Sequence, residues 1–183
     1  GILLPVSSLP SRGGIGTFGK EAYDFVDFLN AAGQRYWQLL PLGPTSYEDS
    51  PYQSFSAYAG NPYFVAPCLL VEEGLLTQEE FSEHAPGDCE AVDYAAIYET
   101  RFALLEMACA RGIRRDHGDF SRFCEENAPW LVDYALFMAL KRHFGMRSWT
   151  EWEDNDIRFR KSEAVKHYQK LLLRETEVIS YQQ

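Results

Sequence analysis

Residues 2–6 form a short apolar run ended by Ser7, Ser8 and Pro10, which predicts a strand buried on both faces. Between Gly19 and Ala32 the pattern changes. Ala22, Phe25, Val26, Leu29 and Ala32 recur at the three-and-four spacing of an amphipathic helix, and Gly33 stands where a C-terminal stop belongs. Tyr36-Trp37-Gln38-Leu39-Leu40 predicts a second buried strand, halted by Pro41 and Pro44. Strand, helix and strand in this order predict a right-handed βαβ unit with parallel strands.

From Pro67 onward the periodicity is helical. A short helix is expected from Pro67 to Gly74, and a longer one over 95–111 with Ile97, Phe102, Leu105, Met107 and Ala108 broadly on one face. A third spans 120–127 ahead of Pro129, and a fourth spans 130–143 with Gly145 as its stop. Residues 157–180, rich in Lys, Arg and Glu, read as one long helix with a solvated face. Two parallel strands cannot cover their own faces and edges, so the pattern calls for a sheet continued in further sequence. Gly1, directly before a strand, and the ending at Gln183 read as the edges of a piece of something longer.

Residues 49–64 fit neither period. Tyr52, Phe55, Tyr58 and Tyr63 are interleaved with Ser50, Gln53, Ser54, Ser56 and Asn61, with Asp49 as the single charge and prolines and a glycine as breakers. Flat apolar rings among neutral hydrogen-bonding groups suit a polyhydroxylated ligand such as a sugar. The same composition suits an ordered loop whose rings fill a satellite core, and composition alone does not separate the two.

Composition narrows the remaining classes. The chain has 183 residues, is 46% hydrophobic and carries a formal charge of -10, with no Lys/Arg patch among its aromatics, which argues against nucleic-acid binding. No apolar run is long enough to span a membrane. Cys68, Cys89, Cys109 and Cys124 form no C-x-x-C and read as reduced thiols. His84, His117, His143 and His167 are dispersed, so neither a metal nor another cofactor is expected.

Gly14, Gly16 and Gly19 match G-x-G-x-x-G, but residues 7–13 separate them from the strand and no acid ends the second strand. Extended to Lys20 they approach a P-loop, with Glu21 where Ser or Thr would hold magnesium. These glycines are expected to shape a tight loop entering the helix. Glu72-Glu73, Glu79-Glu80 and Glu125-Glu126 are adjacent in sequence and so diverge on a helix, forming no acid/base pair. Asp49, ahead of Ser50-Pro51, reads first as a turn former.

Several segments together resemble one family. Gly1-Ile2-Leu3-Leu4, Ser8-Leu9-Pro10, Gly14-Ile15-Gly16, residues 36–45, residues 49–63 and residues 130–140 are similar to the amylomaltases, the 4-α-glucanotransferases or disproportionating enzymes. The resemblance implies an α/β fold, the N-terminal part of a (β/α)8 TIM barrel holding its first two parallel strands, with a large, mostly helical insertion after strand 2. It implies a division into 1–48 (start of the barrel), 49–156 (active-site loop and insertion) and 157–183 (a long helix leading back to the barrel). It further implies a cytoplasmic enzyme acting on maltooligosaccharides and other α-1,4-glucans by a retaining mechanism. The Asp nucleophile, the Glu acid/base and the second Asp lie in the family's later strands, so no catalytic residue carries over. Tyr52 matches a tyrosine that stacks on glucose beside the cleaved bond, flanked by Ser50 and Asp49. Tyr47 and Tyr94 match tyrosines of a second glucan-binding groove. A non-catalytic α-glucan-binding module and an α-amylase-type hydrolase are the competing readings.

Overall fold

A computed structural model describes residues 1–45, 49–85 and 91–183. The described chain has two short parallel strands and eight α-helices. It divides into two compact units, Gly1–Gly112 and Ile113–Gln183.

In the first unit, β1 (Ile2–Leu3) pairs in parallel with β2 (Trp37–Gln38), Ile2 opposite Trp37 and Leu3 opposite Gln38. α1 (Lys20–Ala31) connects them and ends where Gly33 takes a positive φ of 67°, as a C-terminal glycine should. α1 covers one face of the strand pair. Ala22 joins Val6 and Leu9 in a buried cluster with Leu4, Phe25, Trp37 and Leu39, and Phe25 meets Trp37 edge-on at 4.9 Å. The indole Nε1 of Trp37 donates to the Leu4 carbonyl at 2.8 Å, tying the strand ends together.

The expectation of strands buried on both faces is corrected. Leu3 is 55% exposed and Tyr36 75%, because only α1 covers the pair among the described residues. Val26, expected on the buried stripe of α1, is also exposed.

The glycine-rich entry to α1 is the tight loop expected. Gly14 has a φ of 77°, and a Cβ on Gly16 would lie 1.9 Å from the Val6 carbonyl oxygen. Glycine is required there by the close backbone approach rather than by a phosphate.

α2 (Pro67–Glu72) starts with proline in its first turn and stops before Gly74, whose φ is 72°. α3 (Gln78–His84) was not expected from periodicity. Its signal is Thr77-x-x-Glu80, a capping box in which Thr77 Oγ1 accepts from Glu80 N and Glu80 Oε2 accepts from Thr77 N. α4 (Tyr94–Arg115) packs Leu104 and Ala108 against Leu75, Leu76 and Phe81. Arg111 on α4 makes a two-point contact with the Glu80 carboxylate at 2.6 and 2.8 Å.

In the second unit, residues 120–127 and 130–143 are not two helices. α5 (His117–His143) runs through Pro129 without a break. Interior proline removes one backbone hydrogen bond and costs roughly 3 kcal/mol or more. Asn127 ties the helix on either side of Pro129, its Nδ2 donating to the Phe123 carbonyl at 2.9 Å and its Oδ1 accepting from Trp130 Nε1 at 3.0 Å.

The single helix expected over 157–180 is also corrected. It is three: α6 (Asn155–Arg158), α7 (Ser162–Leu171) and α8 (Leu173–Gln182). Arg160 adopts a left-handed φ of 52°, and Leu172 leaves helical geometry at φ -106°, ψ 27° while its side chain is buried. Asp154 caps α6 through the amides of Asp156 and Ile157 and accepts from the Tyr168 hydroxyl at 3.0 Å. α5 and α8 form the most extensive helix pair.

Candidate functional site: a cleft beyond the strand ends

Beyond the C-terminal ends of the two strands of the first unit, Pro5 with the 3-10 turn Val6–Ser8 and residues 40–42 form one wall of a cleft of about 130 Å³. Its polar groups come from Ser7, Thr45, Asp49, Asn61, Tyr63 and Tyr94, and its apolar floor includes Val6, Ile15, Leu40 and Phe64. Five separate chain segments therefore meet at the C-terminal ends of parallel strands, where open and closed α/β sheets bind their ligands.

The loop after β2 is held by its own hydroxyls and by glycine. Asn61 N donates to the Leu42 carbonyl at 2.8 Å, closing the loop onto its own start. Ser54 Oγ donates to the Ser56 carbonyl, while Ser56 Oγ accepts from the amides of Tyr58 and Ala59 at 3.1 Å. A Cβ on Gly43 would lie 2.3 Å from Ser54 Oγ, so glycine lets the loop cross there. Asn61 then caps the 3-10 turn Pro62–Phe64 by accepting from Tyr63 N at 3.0 Å, which turns Tyr63 into the interior.

Asp49 sits in the left-handed region at φ 51°, and the Thr45 hydroxyl donates to its Oδ1 at 2.8 Å. Its carboxylate bears on two tyrosines. Burial raises the Tyr63 phenol well above its ordinary value, and the negative charge of Asp49 adds to the effect. Tyr94 is raised by burial and by Asp49, partly offset by its hydrogen bond with Ser7. Both phenols thus stay neutral donors well into alkaline conditions. The two rings lie 6.3 Å apart at a tilt of 48°.

Behind the cleft, Arg101 of α4 is 2% exposed and reaches two loops at once. Its guanidinium donates to the Val65 carbonyl and, at 3.3 Å, to the Gly13 carbonyl. Burial lowers its pKa to about 10. It pins the glycine loop and the turn before α2 from behind.

Of the residues singled out from sequence, Asp49 and Tyr94 line this cleft together. Tyr94 is half-buried and packed on Tyr63. Ser50 is half-buried next to the cleft without lining it, and Tyr52 points out of the loop, 74% exposed. Tyr47 lies outside the described residues. Thr45 and Ser7 were missed as site residues. The one legible signal was a hydroxyl four residues before Asp49 in a Pro-rich turn. Among the described cysteines, Cys68, Cys109 and Cys124 are free, while Cys89 lies outside the described residues. No helix among the described residues is long and apolar enough to cross a membrane.

Known proteins match this arrangement along its whole length. A 4-alpha-glucanotransferase family model, glycoside hydrolase family 77, matches residues 4–183. A 4-alpha-glucanotransferase of Streptococcus pneumoniae serotype 4 is 51% identical over 174 residues, which is 94% of this chain and 34% of that protein. The 4-alpha-glucanotransferase of Thermus thermophilus is 44% identical over 181 residues, 96% of this chain and 35% of that protein. The solved structure of the Streptococcus agalactiae amylomaltase in complex with acarbose superimposes with a TM-score of 0.95 at 42% identity, covering 100% of this chain and 37% of that one. The chain therefore spans about a third of the length of the relatives it matches. With two parallel strands, a mostly helical remainder and a family match over nearly every residue, the chain belongs to the 4-alpha-glucanotransferase family.

Proposed function

We propose that this chain is the glucan-binding N-terminal part of a cytoplasmic 4-α-glucanotransferase, which moves α-1,4-glucan segments between maltooligosaccharides by a retaining double displacement. In this reading β1 and β2 are the first two strands of a (β/α)8 barrel, residues 49–156 are the active-site loop and a helical insertion, and 157–183 lead back to the barrel. The observation that carries it is the family match over residues 4–183, joined to a cleft at the C-terminal ends of both strands. The acarbose-bound amylomaltase of the same fold supports a saccharide as occupant.

The chemistry assigns roles to the residues. Tyr52, exposed on a loop braced by hydroxyl turns, offers its ring face to a glucose unit. Ser50 and Asp49 supply hydrogen-bonding groups to sugar hydroxyls, and Tyr94 extends the binding surface. Retaining transfer needs two carboxyl groups about 5–5.5 Å apart. Asp49 is the one acid lining this cleft among the described residues, and in this reading the nucleophile and the acid/base are supplied by other strands of the barrel.

Two measurements test the reading. The intact enzyme is expected to convert maltotriose into glucose and longer oligosaccharides, whereas residues 1–183 alone release no glucose. Glucose release by residues 1–183 alone would overturn the division of labour. Tyr52→Ala is expected to weaken maltooligosaccharide binding roughly three- to tenfold, and Tyr52→Trp to preserve it. Equal affinities for wild type and Tyr52→Ala would remove Tyr52 from the site.

A further inference from the structure

We infer that Thr45 is a positioning residue for glucan binding, its hydroxyl holding the Asp49 carboxylate at the cleft beside Ser7, Tyr63 and Tyr94. This rests on the proposal that Asp49 contacts glucan. Asp49 occupies a left-handed backbone conformation that costs an L-residue free energy and persists only when its surroundings hold it. The Thr45 hydroxyl supplies such a hold, a bond of 2.8 Å to an ionised acceptor, which belongs to the stronger class of hydrogen bonds. Thr45 and Asp49 both line the cleft, so the bond lies at the surface a ligand would meet. Tyr63 and Tyr94 line the same cleft, and the Asp49 charge adds to burial in raising both phenols.

One bond to Thr45 occupies one of roughly four lone-pair sites on a carboxylate, which leaves the group able to accept from a sugar hydroxyl. The benefit of the tether is entropic. A free Asp side chain must give up its rotamers when a hydroxyl binds, whereas one already held by Thr45 has given them up on folding. Loss of the tether is expected to weaken glucan binding roughly three- to tenfold while leaving every group that touches the sugar in place.

The test is calorimetric titration of the protein with maltoheptaose, using Thr45→Val, Thr45→Ser, Asp49→Asn and the Thr45→Val/Asp49→Asn pair. Asparagine tolerates the left-handed region as well as aspartate does, so Asp49→Asn removes charge without adding backbone strain. Thr45→Val is expected to bind roughly three- to tenfold more weakly, Thr45→Ser to stay within about twofold of wild type, and the pair to bind no more weakly than Asp49→Asn alone. Thr45→Ala deletes the same hydroxyl without β-branching and serves if Thr45→Val melts early. Wild-type affinity in the hydroxyl deletions, with Asp49→Asn weakened, overturns the role of Thr45 and leaves the glucan site standing. Additive losses in the pair also overturn it, since Thr45 would then act without Asp49. If Asp49→Asn, Tyr52→Ala and Thr45→Val all bind as wild type does, the glucan reading of the site falls, and the inference with it.

Discussion

Arg101 offers a measurable consequence of burying a cation against neutral acceptors. Replacing it with Met removes the charge and keeps most of the stem. The drop from the ordinary 12.5 to about 10 means that the fold holds the charged form at a cost of about 3 kcal/mol, and Met is relieved of it. Met also orphans the Val65 and Gly13 carbonyls, at roughly 1–3 kcal/mol each. The balance lies between a stabilisation of about 1 kcal/mol and a destabilisation of about 3 kcal/mol. Arg101→Ala orphans the same carbonyls and also gives up buried methylenes at about 0.8 kcal/mol each, so about 2–5 kcal/mol is expected.

Urea unfolding followed by circular dichroism measures both variants, and the alkaline limb gives an independent check. A base with a depressed folded pKa releases its proton from the native state first. Between about pH 10 and 12.5 the unfolded chain therefore binds more protons, and the Arg101 contribution to stability rises with pH. Buried Tyr63 and Tyr134 act in the opposite direction, but they are common to wild type and variant and cancel in the difference. The cost of Arg101→Met must accordingly grow as pH rises through that window. An Ala variant within about 0.5 kcal/mol of wild type, or a Met cost independent of pH there, refutes the reasoning.

Other outcomes follow from single contacts. Gly16→Ala is expected to lose at least about 3 kcal/mol in a thermal melt, because its Cβ would overlap the Val6 carbonyl and crowd Leu9, whereas the Cβ of Gly60→Ala would enter open space and the change stays within about 1 kcal/mol. Glu80, held down to about 2 by Arg111 and the Thr77 amide, contributes stability that is present above its unfolded value of 4.5 and lost as pH falls through 2. Glu80→Gln should flatten that part of an acid-unfolding curve. Asn127→Ala removes the side-chain hydrogen bonds to Trp130 Nε1 and to the Phe123 carbonyl beside Pro129, and about 1–2 kcal/mol is expected by urea titration.

The elements most legible in the sequence were those set by neighbouring residues. α1 and its stop at Gly33, α2 with Pro67 and Gly74, and the end of α5 before Gly145 each follow from period and punctuation. α3 was legible in principle through its capping box, a signal that hydrophobic period alone passes over. The errors share a different cause. Pro129 reads as a helix break, yet α5 runs through it with Asn127 joining Phe123 to Trp130 across it, and Arg160 and Leu172 carry no glycine to announce their turns.

The site divides in the same way. The sequence by itself determined that residues 49–64 form an aromatic, hydroxyl-rich loop after the second strand, and its motifs carried the family resemblance. Only tertiary structure decided which side chains share a cleft. Ser7, Thr45, Asp49, Tyr63 and Tyr94 converge through the parallel pairing of β1 with β2 and the packing of Tyr63 on α4. It alone set Arg101 behind that cleft, spanning 88 residues to Gly13. Helix period, caps and turns are decided within a few residues, so they can be read along the chain. Through-space partners depend on how whole elements pack, and no local pattern encodes that.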